Sequence, residues 1–267
     1  MTTTPKRPIV RYHGGKWKLA PWIIEHFPKH KVYVEPYGGG GSVLLRKPRS
    51  YAEIYNDLDG EIVNLFRVAR DHGAELVRQL ELTSFSRSEF LESYIPSGDS
   101  VAQARKTVTR AFQGFGSNAH NKATGFRSNS NRSGTTPARD WLNLPKSLKV
   151  IVSRLQGVVI ENREAEDVLK AHDGAETLHY VDPPYVSTTR DKGGDYRHEM
   201  TDSDHREMAE VLNSLQGMIV LSGYRCELYD ELFSNWTRVE RKAFADGAKE
   251  RTECLWLRNI ELPQELF

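Results

Sequence analysis

Val32-Tyr33-Val34-Glu35-Pro36-Tyr37-Gly38-Gly39-Gly40-Gly41-Ser42 is a short β-branched and aromatic run that stops at a proline and opens into four glycines. The run reads as a strand, and the following Ser42-Val43-Leu44-Leu45-Arg46-Lys47 as the start of a helix. Downstream, Tyr51-Ala52-Glu53-Ile54-Tyr55 reads as a second strand closed by Asn56-Asp57, and Asp59 to Arg70 as an amphipathic helix. Strand, glycine loop, helix, strand, acid and helix in this order form the first half of a Rossmann-like, doubly wound α/β sheet. The glycines let a ligand approach the backbone, and the helix start offers free N–H groups. Asp57, at the end of the next strand, is placed for the two hydroxyls of a ribose. The spacing is neither G-x-G-x-x-G nor a Walker A loop, so what it favours is an adenosine-containing ligand in general.

The same texture extends outward on both sides. Upstream lie Ile9-Val10-Arg11-Tyr12, the pair Gly14-Gly15, and a short helix over Lys18 to Phe27. Far downstream come strands over 157–161, 178–182 and 218–222, helices over 165–171 and 202–216, and a last strand over 252–260. Between about 80 and 148 the pattern breaks. Residues 114–137 are rich in Gly, Asn, Ser, Thr and Arg, which predicts an irregular, exposed insertion. The expected organisation is a catalytic domain of residues 1–79 and 149–267 interrupted by an inserted region at 80–148. Residues 187–200 read equally as a lid or as an ordinary surface loop.

Composition excludes several classes. With 267 residues, 38% hydrophobic and 27% charged, the chain can bury a sizeable core. It holds no apolar run long enough for a membrane span. Its start lacks an apolar signal segment, so a cytoplasmic location is the expectation, and two cysteines build neither a disulfide scaffold nor a four-thiolate zinc site. The net charge is only +1, which by itself argues against an evenly basic nucleic-acid binder. Residues 101–150, however, carry nine Lys or Arg against one acid, a local +8 that leaves −7 on the rest of the chain. One region suits a polyanion and the body does not.

Asp182-Pro183-Pro184-Tyr185 ends the strand Leu178-His179-Tyr180-Val181. Two prolines remove two backbone donors, hold the chain extended and leave their carbonyls as acceptors. Asp182 adds a charged acceptor and Tyr185 a flat face. That set fits a planar ring bearing an amino group, with the ring on Tyr185 and the amine donating to Asp182 and a proline carbonyl. Two acceptors draw such an amine toward tetrahedral geometry and free its lone pair for attack.

Asp182-Pro183-Pro184-Tyr185 is similar to the catalytic motif of amino-group DNA methyltransferases, and the motif order resembles the Dam-type, alpha-order family of adenine-specific DNA methyltransferases. Tyr12-His13-Gly14-Gly15-Lys16 resembles the family's N-terminal motif, Glu35 to Ser42 its glycine loop, Asn56-Asp57 its second-strand acid, and Glu253 to Asn259 its terminal pattern. The resemblance implies a site-specific enzyme that transfers a methyl group from S-adenosyl-L-methionine to the 6-amino group of a flipped-out adenine in double-stranded DNA. It implies cofactor contacts from Tyr12, Lys16, Pro36, Gly38, Gly40, Ser42, Asp57 and Asp182. Glu164 and Ala165 fall where the family holds the cofactor's adenine with an Asp-Phe pair. Catalysis would fall to Asp182, Pro183, Pro184 and Tyr185, without a metal, because the sulfonium already carries the activation. The same fold with an N-P-P-Y motif methylates glutamine side chains, adenine in RNA is another amino substrate, and a non-catalytic DNA-binding module is the alternative from a different class. Asp182 and the basic insertion favour DNA.

A base inside a duplex cannot reach Asp182 and must be extruded, at a cost of a few kcal/mol that DNA contacts have to offset. The expected contacts are Arg110, Asn118, Lys122, Arg127 and Arg132 in the basic segment, with Tyr196 in the loop after the D-P-P-Y motif. Phe115 and Phe126 are candidates to fill the vacated stack. The family's N-G-L-x-R-x-N stretch has only a partial counterpart at Phe112 to Asn118, where the arginine is missing, so no recognition sequence carries over. The expected working unit is a monomer or a weak dimer, with room for a cognate restriction enzyme.

Overall fold

The computed structural model describes residues 4–117, 119, 122–129, 134–190, 196–244 and 250–260. In chain order the elements are α1 (Ala20–Glu25), β1 (Val32–Glu35), α2 (Ser42–Arg46), β2 (Ala52–Asn56), α3 (Gly60–Asp71), α4 (Gly73–Leu82), α5 (Arg87–Glu92), α6 (Ser100–Gln113) and α7 (Pro137–Leu155). There follow β3 (Val158–Glu161), α8 (Ala165–Ala171), β4 (Thr177–Val181), α9 (Asp202–Ser214), β5 (Met218–Tyr224), α10 (Glu227–Leu232), β6 (Thr237–Phe244) and β7 (Glu250–Arg258). Two compact units share them. The first is Met1–Trp17, Gly39–Arg46 and Asp59–Ile160; the second is Lys18–Gly38, Lys47–Leu58 and Glu161–Phe267.

Among the described residues the sheet has seven strands in the order β3-β2-β1-β4-β5-β7-β6. All but β3 lie wholly in the second unit. Strands β2, β1, β4 and β5 run parallel, and β7 runs antiparallel to both β5 and β6. The doubly wound α/β class expected from the sequence is the class observed. Every residue of β4 (TLHYV) is buried, as a parallel strand covered on both faces should be. The chain leaves β1 toward β2 in one direction and later continues from β4 to β5 in the other, so β1 and β4 flank the point where the winding reverses. Their register pairs Val34 with His179. The Pro36-Tyr37-Gly38 and Asp182-Pro183-Pro184-Tyr185 segments therefore leave neighbouring strands at their carboxyl ends, where open α/β sheets bind ligands.

The first unit is helical. Asp59 caps α3 by accepting from the Glu61 N–H at 3.0 Å, and Ile62, Val63, Leu65, Phe66 and Val68 bury its inner stripe. Asp99 caps α6 in the same way, accepting from Ala102 N–H at 2.7 Å. The 80–148 stretch lies inside this unit and is mostly regular, with α5, α6 and the first half of α7. α6 buries Ala104, Val108, Ala111 and Phe112, and the irregular stretch expected over 114–137 falls between α6 and α7, where the described residues form no helix or strand. The described part of the loop between α6 and α7 is also tied down. A bridge joins Gly114 to Phe126, Phe115 N–H donates to Gly125 O and Arg127 N–H to Gln113 O, both at 2.8 Å.

Candidate active site

The catalytic candidates are assembled in the second unit. Beyond β4, Asp182 and Pro184 are half-buried, Pro183 is buried, and Tyr185 is 6% exposed. The Tyr185 hydroxyl donates to Glu253 Oε2 at 2.9 Å and lies 3.0 Å from Ser222 Oγ. The Tyr224 ring meets Tyr185 edge-on, with centroids 4.7 Å apart and planes at 75°. Burial, followed by the charges of Glu253 and Asp182, holds the Tyr185 phenol protonated well above the usual tyrosine range. Tyr180 on β4 is fully buried and shifts the same way, from burial first and then from the charges of Asp182, Glu35 and Glu253. Three carboxylates thus act on one buried phenol at this end of the sheet. Glu35 in turn accepts from Tyr33 Oη at 2.7 Å. A cavity of about 790 Å³ opens beside the turn, lined by Val186, Thr188, Thr189, Tyr224, Arg251 and Thr252 among others.

The loops after β1, β2 and β3 are held together by one side chain. Asn56, fully buried, donates through Nδ2 to Pro36 O at 2.9 Å and to Arg163 O at 3.0 Å, and its Oδ1 accepts from Arg163 N–H at 2.9 Å. Its own carbonyl accepts from Gly38 N–H at 2.8 Å. Asn162 Nδ2 donates to the carbonyl of Asp57 at 2.7 Å, which fixes the backbone beneath the half-buried Asp57. A Cβ on Gly38 would lie 2.2 Å from the Tyr55 ring, so only glycine fits there. Glu164 is exposed at the start of α8 and Ala165 is buried, while Tyr37 Oη donates to Glu166 Oε1 at 3.2 Å. Asn162, Glu166, Ser222 and Tyr224 belong to no motif of the sequence, and Asn56 enters one only as the neighbour of the acid Asp57. The adjacency of Asn56 to Asp57 and the end-of-strand positions of Ser222 and Tyr224 were the available signals.

The remaining cofactor candidates belong to the first unit. The chain enters it between Gly38 and Gly39. Gly39 has φ +47°, and a Cβ there would lie 2.8 Å from the Tyr12 ring. Gly40 packs under the same side chain, and Ser42 is buried at the first position of α2. Lys16, 6% exposed, donates through Nζ to Gly14 O at 2.9 Å.

The expected DNA contacts divide. Arg110 is 6% exposed, donates to Ser93 O at 2.8 Å, pairs with Glu61 and lies over the Tyr94 ring. This removes it from the DNA-contact set, since its guanidinium is committed between helices. Arg105 pairs with Glu89 and Lys106 donates to Ile95 O, both at 2.7 Å. Phe126 packs on Phe85 and Phe90, so it is not a free wedge either, whereas Phe115 is 71% exposed. Lys122 is exposed, and Arg127 is half-buried, donating to Phe112 O at 3.0 Å. Tyr196 is half-buried, its ring under the Arg190 guanidinium, and its N–H donates to Glu199. Asn118 and Arg132 lie outside the described residues.

Residues 12–246 match the D12 class N6 adenine-specific DNA methyltransferases. The chain belongs to that family. The methyltransferase is 26% identical to the Type II methyltransferase M1.LlaDCHI of Lactococcus lactis subsp. cremoris, over 91% of this chain and 90% of the relative. It is 23% identical to the Type II methyltransferase M.MjaIII of Methanocaldococcus jannaschii, over 86% and 89%. With the DNA adenine methylase of Escherichia coli K12 it shares 29% identity over 37% of each chain. An rRNA methylase from Streptococcus thermophilus covers 97% of the chain at 8% identity and a TM-score of 0.39, a likeness too weak to bear on the activity. The enzyme is an adenine-specific DNA methyltransferase. Among its described residues no helix is long and apolar enough to cross a membrane.

Proposed function

We propose that this methyltransferase acts on adenine extruded from duplex DNA, with Asp182-Pro183-Pro184-Tyr185 as the catalytic turn and S-adenosyl-L-methionine as the methyl donor. The observation that carries the reading is the placement of that turn after a fully buried β4, at the switch point beside the carboxyl end of β1. The cofactor supplies an electrophilic methyl on a sulfonium. The residues proposed to hold it are those of the family resemblance: Tyr12, Lys16, Pro36, Gly38, Gly40, Ser42, Asp57, Glu164, Ala165 and Asp182. Asp182 Oδ and the carbonyl of Pro183 accept the two amine hydrogens and stabilise positive charge as it develops on nitrogen. Tyr185 walls the base, and the rate comes from positioning rather than from a covalent step.

Segment 101–150 supplies the phosphate contacts through Lys122, Arg127 and Arg132, with Asn118 reading bases, Phe115 entering the vacated stack and Tyr196 closing on the strand. The enzyme acts as a monomer or a weak dimer. The Type II names of two relatives make a cognate restriction enzyme its expected partner. Tritiated S-adenosylmethionine tests the core claim: label should appear in 6-methyladenine after digestion of duplex DNA. Label in RNA, in protein or in cytosine would overturn it, and long-read sequencing of DNA from expressing cells would give the site.

A further inference from the structure

We propose that Glu253 and Ser222 are positioning residues that set the tilt of Tyr185, and through it the acceptors of the Asp182-Pro183-Pro184 turn; this rests on the reading above. The antiparallel strand β7 makes the arrangement possible. Glu253 is the cross-strand partner of Tyr224, so both side chains stand on one face of the sheet, and Ser222, two residues earlier on β5, shares it. Glu253 is 7% exposed and Ser222 1% exposed, and both converge on one phenol oxygen. A phenol has one proton to give. With that proton donated to Glu253, the Ser222 hydroxyl is the donor to Tyr185, and the relay runs Ser222 to Tyr185 to Glu253. Edge contact with Tyr224 blocks the remaining rotation of the ring. Tyr185 follows the second proline of a turn whose backbone has little freedom, so fixing the ring also fixes where Asp182 and the Pro183 carbonyl point. A phenylalanine would wall a base equally well; the hydroxyl here serves the clamp.

Single-turnover methyl transfer, cofactor affinity and the fluorescence of 2-aminopurine at the target position test this together. Glu253→Ala should slow transfer roughly tenfold to a hundredfold, leave cofactor affinity unchanged and alter the 2-aminopurine signal, because the base meets a loosened wall. Glu253→Gln keeps an acceptor and should restore most of the rate. Tyr185→Phe should match Glu253→Ala, and the double variant should be no slower than either, since one interaction is being removed twice. Should Glu253→Ala fail to fold, the near-isosteric Tyr185→Phe and Glu253→Gln still decide. Wild-type rate in Tyr185→Phe, equal damage from Gln and Ala at 253, or multiplying losses in the double variant would each overturn the clamp. A wild-type chain that methylates no adenine would overturn the functional reading itself, and the clamp with it.

Discussion

The carboxyl end of the sheet and helix α6 both carry charged residues that composition marks as functional, and they use them in opposite ways. At the sheet end Asp182 and Glu253 stand within one cluster of tyrosines, next to an open cavity. In α6, Arg105, Lys106 and Arg110 belong to the +8 segment, yet each is spent inside the first unit. Their partners are Glu89, the carbonyl of Ile95 and Glu61, and both acids lie outside the segment whose charge was counted. Glu61 also accepts from Gln103 and Thr107, each at 2.8 Å, so it is the hub of a half-buried polar network. A local sum of charges measures a surface only where the side chains reach it. A strand followed by D-P-P-Y needs no such condition, because the prolines and the buried strand act locally.

Four measurements sharpen or break this contrast. The largest effect is expected at the sheet end, where Asp182→Ala should lower methyl transfer by about a thousandfold or more while cofactor binding persists, as seen by label transfer and calorimetry. Retained activity would place the chemistry elsewhere. Next comes Arg110→Ala, which strands Glu61 and should cost about 3–5 kcal/mol of stability by urea unfolding, with no change in the salt dependence of DNA binding. A lower salt slope at full stability would return Arg110 to the DNA surface.

A smaller effect is expected from acid. His179 and His205 are fully buried, and desolvation pushes each down to about 4; nearby Asp173 opposes the shift at His179, and Asp202 and Asp204 oppose it at His205. A depressed histidine is neutral in the fold while the unfolded chain still titrates near its ordinary value. Each therefore contributes stability that is complete above about pH 6.5 and is lost as pH falls toward 4, by about 1–3 kcal/mol per residue. Melting temperature against pH should decline across that window. A flat profile would mean that these sites are open to water. The smallest effect is expected from Lys122→Ala, which should leave stability within about 0.5 kcal/mol and lower the salt slope of DNA binding by about one unit.

Much of the second unit was legible because its elements are punctuated locally. Expected helix 165–171 is α8 to the residue, and expected strand 178–182 is β4 shifted by one. What escaped reading was set by partners distant in sequence. α7 runs through Pro145, which reads as a break, and survives because Trp141, Leu144, Leu148 and Ile151 are buried and Trp141 Nε1 donates to Thr83 O at 2.8 Å. β6 (TRVERKAF) carries four charged residues in eight and becomes a strand by pairing with β7 from Thr237 to Phe244.

Residue order alone was enough for the doubly wound α/β class, the glycine turn and the Asp182-Pro183-Pro184-Tyr185 turn after β4, because strand periodicity, proline and glycine act over a few residues. The tertiary structure alone decided that Asn56 ties three loops, that Glu253 and Ser222 grip Tyr185, and that Arg110 faces Glu61 rather than DNA. Those outcomes depend on which side chains meet across tens of residues or more, and burial turns each meeting into a hydrogen bond or ion pair that no local pattern encodes.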